Sequence, residues 1–221
     1  MFPGITINVA TLLPRRRSET PTIASITAIS STQINVAFNV AGFTGDAPIV
    51  SYSVVRTPGN VVVTHPGNSA ATVSFTGLTP GTSYTFSVYN TDEFGLSSSA
   101  TTPSTPVVAP PLPAAAPTIG TATKISNTQA TVSYTAPSYN GGATITSYTA
   151  VSGPGGITAT LVTAASGTIT VPGLTFGTSY TFTVYATTSA GVGASSAASN
   201  AVTVADAPTI GTATGGNASS I

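Results

Sequence analysis

The chain of 221 residues contains no cysteine, so neither a disulfide nor a thiolate metal site holds it together, and cysteine usage leaves its redox compartment open. Charge is almost as scarce: Arg15, Arg16, Arg17, Arg56 and Lys124 stand against Glu19, Asp46, Asp92, Glu93 and Asp206, a net charge of zero. An ordinary domain carries about a quarter charged residues; here Thr, Ser, Ala, Gly and Asn take their place. Such a neutral, hydroxyl-rich skin provides no field to steer nucleic acid or an anionic membrane, and neither is an expected partner. No apolar run approaches the ~18 residues of a membrane helix, and the run from Pro106 to Pro117 is interrupted by proline. Met1 to Pro14 has no basic leader ahead of its apolar residues, which predicts a soluble chain that does not use the common N-terminal export route. Histidine occurs once, at His65, followed by Pro-Gly-Asn with no second His, Cys or Asp nearby. Metal and triad chemistry need convergent partners, so His65 is expected to be a loop residue.

What the chain does have is a duplicated pattern. The stretch Gly77-Leu78-Thr79-Pro80-Gly81-Thr82-Ser83-Tyr84-Thr85-Phe86-Ser87-Val88-Tyr89 returns as Gly173-Leu174-Thr175-Phe176-Gly177-Thr178-Ser179-Tyr180-Thr181-Phe182-Thr183-Val184-Tyr185. Within each copy the residues from Tyr onward alternate strictly, Tyr84, Phe86 and Val88 to one side, Thr85, Ser87 and Tyr89 to the other, the signature of a half-buried antiparallel strand. From Pro21 to Gly95 the copies keep a constant separation of 96 residues, pairing Gln33 with Gln129, Phe38 with Tyr134, and Tyr52 with Tyr148. A register that long means a shared fold.

In the first copy the pattern predicts strands near Ile23–Ile29, Gln33–Val40, Ile49–Thr57, Asn60–Thr64, Ala70–Phe75, Ser83–Thr91 and Ser97–Thr105. Gly, Pro, Asn and Asp separate them, as at Thr57-Pro58-Gly59-Asn60 and Asp92-Glu93-Phe94-Gly95. Short strands at this spacing, with no helical period, predict an all-β chain of two tandem seven-stranded Greek-key β-sandwiches. Both copies resemble fibronectin type III domains over nearly all of residues 21–205. The most specific feature is Leu-x-Pro-Gly-Thr-x-Tyr, complete from Leu78 to Tyr84, and with Phe176 in place of the proline from Leu174 to Tyr180. The resemblance implies a structural tyrosine corner, in which the Tyr84 and Tyr180 hydroxyls bond back to the preceding backbone while Leu78 and Leu174 plug the core. The family's usual Trp on the second strand is Phe38 here and Tyr134 in the second copy, which preserves an aromatic core.

The remaining segments divide the chain. Residues 1–20 form an extended arm outside the repeat, domain 1 covers 21–105, a proline-rich spacer 106–117, and domain 2 118–205. Residues 206–221 open a truncated third repeat, since Ala207 to Thr214 duplicates Ala116 to Thr123. In the arm Ile5, Ile7 and Val9 alternate with polar residues as an unpaired strand, and Arg15, Arg16 and Arg17 follow as a candidate clamp on a neighbouring protein. Asp46, Asp92 and Glu93 are the clustered carboxylates; copy two has Gly142, Thr188 and Ser189 there, so solvated loop charges are expected rather than a calcium site. Tyr89 and Tyr185 fall on an outer sheet face, where packing is the expected role and sugar stacking the alternative.

No nucleophile, partnered base, metal cage or phosphate loop is present, which predicts a non-catalytic chain without cofactors. Sequence reasoning therefore favours a structural, display role in a bacteriophage virion: a head decoration, tail or fibre component in a symmetric assembly. It would be held to other virion proteins through residues 1–20 and make weak contacts with host-surface glycans. The alternative is a secreted bacterial adhesin, or the spacer region of an extracellular carbohydrate-active enzyme.

Overall fold

The computed structural model describes residues 14–206, and its central strands alternate buried with half-buried side chains. The first unit contains β1 (Thr22–Ser30), β2 (Gln33–Asn39), β3 (Ile49–Thr57), β4 (Val61–Pro66), β5 (Ala71–Phe75), β6 (Ser83–Asp92) and β7 (Val107–Val108). They form two antiparallel sheets, β1-β2-β5 and β4-β3-β6-β7. Because side chains repeat every second residue on a pleated strand, β2 turns Ile34, Val36 and Phe38 inward. Tyr52 and Val54 of β3 and Phe86 and Val88 of β6 meet them in one core. Phe38 packs on Tyr52 with ring centroids 5.0 Å apart, and Phe75 on Phe86 at 5.2 Å.

The second unit repeats the plan with β8 (Thr118–Ser126), β9 (Gln129–Thr135), β10 (Ile145–Gly153), β11 (Thr158–Leu161), β12 (Gly167–Val171), β13 (Ser179–Thr188), β14 (Gly191–Val192) and β15 (Val202–Thr203). Its sheets are β12-β9-β8 and β11-β10-β13-β14, with β15 also on β13. Ala130 and Ala150 occupy core positions that hold Ile34 and Val54 in the first unit. Tyr134 packs closely on Tyr148, centroids 4.4 Å apart. Among the described residues there is no helix. The all-β tandem sandwich thus stands as the sequence pattern implied.

The seventh strand departs from expectation. Residues 97–105 contain only an isolated bridge from Ser97 to Thr91, yet they run along β6 at a three-residue period. Ser98, Thr101 and Ser104 donate their amides to the carbonyls of Asn90, Val88 and Phe86. Their hydroxyl oxygens accept the amides of the same three residues, at 3.1 Å each. A period of three belongs to extended threefold winding and not to a pleat, so a side-chain oxygen stands in for a ladder carbonyl on every turn. In the second unit Ser196 and Ser199 do the same for Val184 and Phe182.

The spacer is also shorter than sequence composition suggested. Val107 and Val108 pair with Tyr84 and Ser83, and Ala109 is fully buried in the first core. Ala114 belongs to the second core, and the Ala115 amide reaches the Tyr139 carbonyl. Small apolar residues between prolines are what a sandwich edge can bury, so much of 106–117 is part of the two domains.

Candidate functional site

Each unit is locked at one corner. The Tyr84 hydroxyl accepts the Thr79 amide at 3.0 Å and the Tyr180 hydroxyl accepts the Thr175 amide at 2.9 Å. Hydrogen bonding from the side chain and backbone of Thr175, partly opposed by desolvation, lowers the Tyr180 pKa from its ordinary 10.0. Leu78 and Leu174 are buried beneath these corners, and the leucine amides bond to Thr32 and Thr128 carbonyls.

Ile5, Ile7 and Val9 lie outside the described residues, as does the repeated segment from Ala207 onward. The three arginines contact their own sandwich while remaining exposed. Arg15 lies over the Phe94 ring, 3.5 Å from its centroid, and Arg16 over Phe43 at 4.9 Å. The Arg16 amide donates to Asp46 Oδ2 at 2.7 Å, its carbonyl accepts the Asp46 amide, and Arg17 Nη1 reaches the Ser97 carbonyl. Ser18 donates to Asn90 Oδ1, and Asn90 Nδ2 donates to the Glu19 carbonyl. Residues 15–19 are therefore a strap on their own sandwich. Guanidinium groups settle on aromatic faces because those faces carry negative potential, and Phe43 and Phe94 are the aromatics at that end. Gly45 makes the close approach feasible: at φ 80° it sits where an added Cβ would lie 2.6 Å from the Arg16 carbonyl oxygen.

Glu93 is exposed, but Asp92 is not simply solvated. Asp92 is buried, and its Oδ1 accepts the Phe94 and Leu96 amides at 3.0 and 2.8 Å, closing the loop after β6. Thr188 takes that position in the second unit and its hydroxyl accepts the Ala190 amide. Among the described residues no three His, Cys, Asp or Glu side chains gather as metal ligands. His65 is on β4 rather than in a turn, paired with Tyr52, edge-on to Phe38 and 3.3 Å from the Ser69 hydroxyl. β4 ends one residue later at Pro66, which still pairs with Ser51. Tyr89 and Tyr185 are half-buried on outer faces opposite Ser53 and Thr149.

One arrangement was not anticipated from sequence. The Tyr52 hydroxyl is satisfied twice, accepting the Ala41 amide at 3.2 Å and donating to Asn68 Oδ1 at 2.8 Å. Its counterpart Tyr148 is fully buried and its hydroxyl has no hydrogen-bond partner. A signal existed: at the separation of 96 residues, Pro137 replaces Ala41 and Ala164 replaces Asn68. Desolvation raises the Tyr148 pKa from 10.0, and desolvation followed by the charge of Tyr148 does the same to Tyr134.

Twin antiparallel sandwiches, of seven and eight strands, with tyrosine corners define a class, and family comparison agrees. Residues 19–107 and 115–202 match the fibronectin type III domain, and the chain belongs to that family as two tandem copies. It is 32% identical over 189 residues to endoglucanase B of Cellulomonas fimi, covering 84% of this chain and 18% of that protein. It is 36% identical over 193 residues to chitinase A1 of Niallia circulans, covering 83% of this chain and 25% of that protein. The chain spans between 18% and 25% of the length of these relatives.

Proposed function

We propose that this chain is a non-catalytic tandem module of an extracellular polysaccharide-degrading system, acting as a spacer beside a catalytic unit. The observation that carries this reading is the pair of relatives, one named an endoglucanase and one a chitinase, each matched along more than four-fifths of this chain and a quarter or less of itself. Two relatives with different named activities share what this chain contains, and a shared part of that kind fits positioning better than either reaction. A surface poor in charge suits neutral polymer, since it neither attracts nor repels it at long range. Neither relative lends support to the virion reading, and the internal use of Arg15, Arg16 and Arg17 removes part of the anchoring argument behind it.

The test is a pair of fusions to one endoglucanase or chitinase catalytic domain, one with this chain inserted before a polymer-binding domain and one joined directly. The insertion is expected to raise sugar release from insoluble cellulose or chitin and to leave hydrolysis of soluble oligosaccharide unchanged. Equal rates on the insoluble polymer, or sugar release by this chain alone, would overturn the reading.

A further inference from the structure

The two domains fasten their first strands differently. In the second, the Asn200 side chain meets the backbone of β8: its Oδ1 accepts the Ala122 amide at 2.8 Å and its Nδ2 donates to the Ala122 carbonyl at 3.0 Å. One side-chain amide carries both a donor and an acceptor, so it gives Ala122 the pair of bonds that a neighbouring strand would supply. Ala122 is buried. Farther along, Lys124 Nζ donates to the Ala205 carbonyl, and Asn127 Nδ2 donates to Asp206 Oδ1 at 2.6 Å. β8 belongs to the sheet β12-β9-β8, whereas β15, which Asn200 and Ala205 flank, pairs with β13 of the other sheet. The ties therefore bridge the sandwich.

The first domain has none of them. At the separation of 96 residues, Ala28 replaces Lys124 and Ser31 replaces Asn127. Matching the rung Ser104 to Ser199 sets Thr105 opposite Asn200. Among the described residues no hydrogen bond joins β1 to residues 97–112. A groove of about 400 Å³ lies there instead, between Ile23 and Ile26 of β1 and the run from Thr101 to Thr105. The strap at residues 15–19 holds the chain ahead of β1 and leaves β1 itself untied.

The order of the ties sets what they resist. Along β8 they fall at residues 122, 124 and 127, and along the exit segment at 200, 205 and 206. Both series rise together, so the two segments run parallel. Tension on the chain pulls β8 back from its start and the exit forward from its end. Parallel neighbours drawn in opposite directions slide along each other, and all the ties share the load instead of parting one at a time.

We propose that Asn200, Lys124 and Asn127 form a tension lock between the entry and exit strands of the second domain, so that a stretched chain opens its first domain first. Core size alone argues for the opposite order, because Ala130 and Ala150 bury less apolar surface than Ile34 and Val54. That tension reaches the chain in its working setting rests on the spacer reading above; the ties and their direction do not.

The whole chain is tethered by its two ends and held at constant force while its length is followed. Two unfolding steps of unequal lifetime are expected. Forced unfolding is governed by the unfolding rate, so Asn200→Ala should shorten the longer lifetime by roughly 5- to 30-fold, the scale of one or two net hydrogen bonds, and leave the shorter one unchanged. Lys124→Met, which leaves Ala122 satisfied, should act in the same direction and more weakly. The absence of cysteine allows a second geometry, with handles at Ala165→Cys and Ser189→Cys, two exposed loop positions away from β8 and the exit. Pulled there, the second domain should have the same lifetime with and without Asn200→Ala. Equal shortening in both geometries would mark Asn200 as an ordinary stabilising residue and overturn the proposal. An unmoved lifetime in both variants, or loss confined to the shorter-lived step, would overturn it as well. Either result leaves the fusion experiment on insoluble polymer untouched, and failure of that experiment leaves these lifetimes in place.

Discussion

Replacing Tyr84 by Phe isolates the corner bond. The ring stays in the core, and Arg56 keeps an aromatic face 5.1 Å from its guanidinium carbon, so the change removes one acceptor. The Thr79 amide, 3.0 Å from the hydroxyl, is left without that acceptor. An unsatisfied donor costs about 1–3 kcal/mol when buried; Thr79 is an exposed residue, so water recovers part of this and about 1 kcal/mol is expected. For a domain of this size that lowers the melting temperature by roughly 4–8 °C. Differential scanning calorimetry of the whole chain should show the shift in one transition only, since each unit has its own core. Hydrogen exchange at the Thr79 amide should accelerate in parallel. Leu78→Ala beneath the same corner sets the scale, with a loss of about 2–5 kcal/mol for a buried leucine. An unmoved transition together with unchanged exchange at Thr79 would refute the idea that this bond holds the corner.

Gly45→Ala meets both a φ of 80° and a contact at 2.6 Å with Arg16, so it should release the strap. Trypsin cleavage after Arg15, Arg16 and Arg17 would then be faster than in the parent chain. Asp92→Ala should destabilise the first domain by about 1–3 kcal/mol through two stranded amides, whereas Asp92→Thr should recover much of the loss, as Thr188 serves the second domain; urea denaturation reads both. The phenols of Tyr134 and Tyr148 should titrate above 10.0 in a difference-absorbance titration. Their folded-state pKa values are raised, so the stability they contribute is fully present below the ordinary phenol value and is lost as pH rises through the folded values. Alkaline unfolding of the second domain in that window checks the sign, and Tyr148→Phe should blunt it.

Strand positions were largely legible because β2 and β6 alternate cleanly, and one face of each is buried. The duplicated Leu78 to Tyr84 pattern carried the fold class for the same reason. Residues 97–105 were misread because their period is three: Ser98, Thr101 and Ser104 bond as rungs, and a two-residue template cannot register them. The strap was missed because arginine beside an unpaired segment looks like a surface for another protein; only folding brings Phe43 and Phe94 beneath it. The unpartnered Tyr148 hydroxyl was present in the aligned sequence as Pro137 and Ala164, but their meaning depends on knowing what Ala41 and Asn68 touch. Asp92 looked solvent-bathed for a similar reason, since its amide partners are local and leave no trace in composition.

The serine and threonine rungs beside β6 have a consequence for how such modules coexist. A bare strand edge is a template on which any passing chain can nucleate. Here the polypeptide stoppers its own seam with hydroxyls, so the amides of Phe86, Val88 and Asn90 have no vacancy to offer a stranger. Neighbouring copies strung in a row can then brush past this seam without pairing to it.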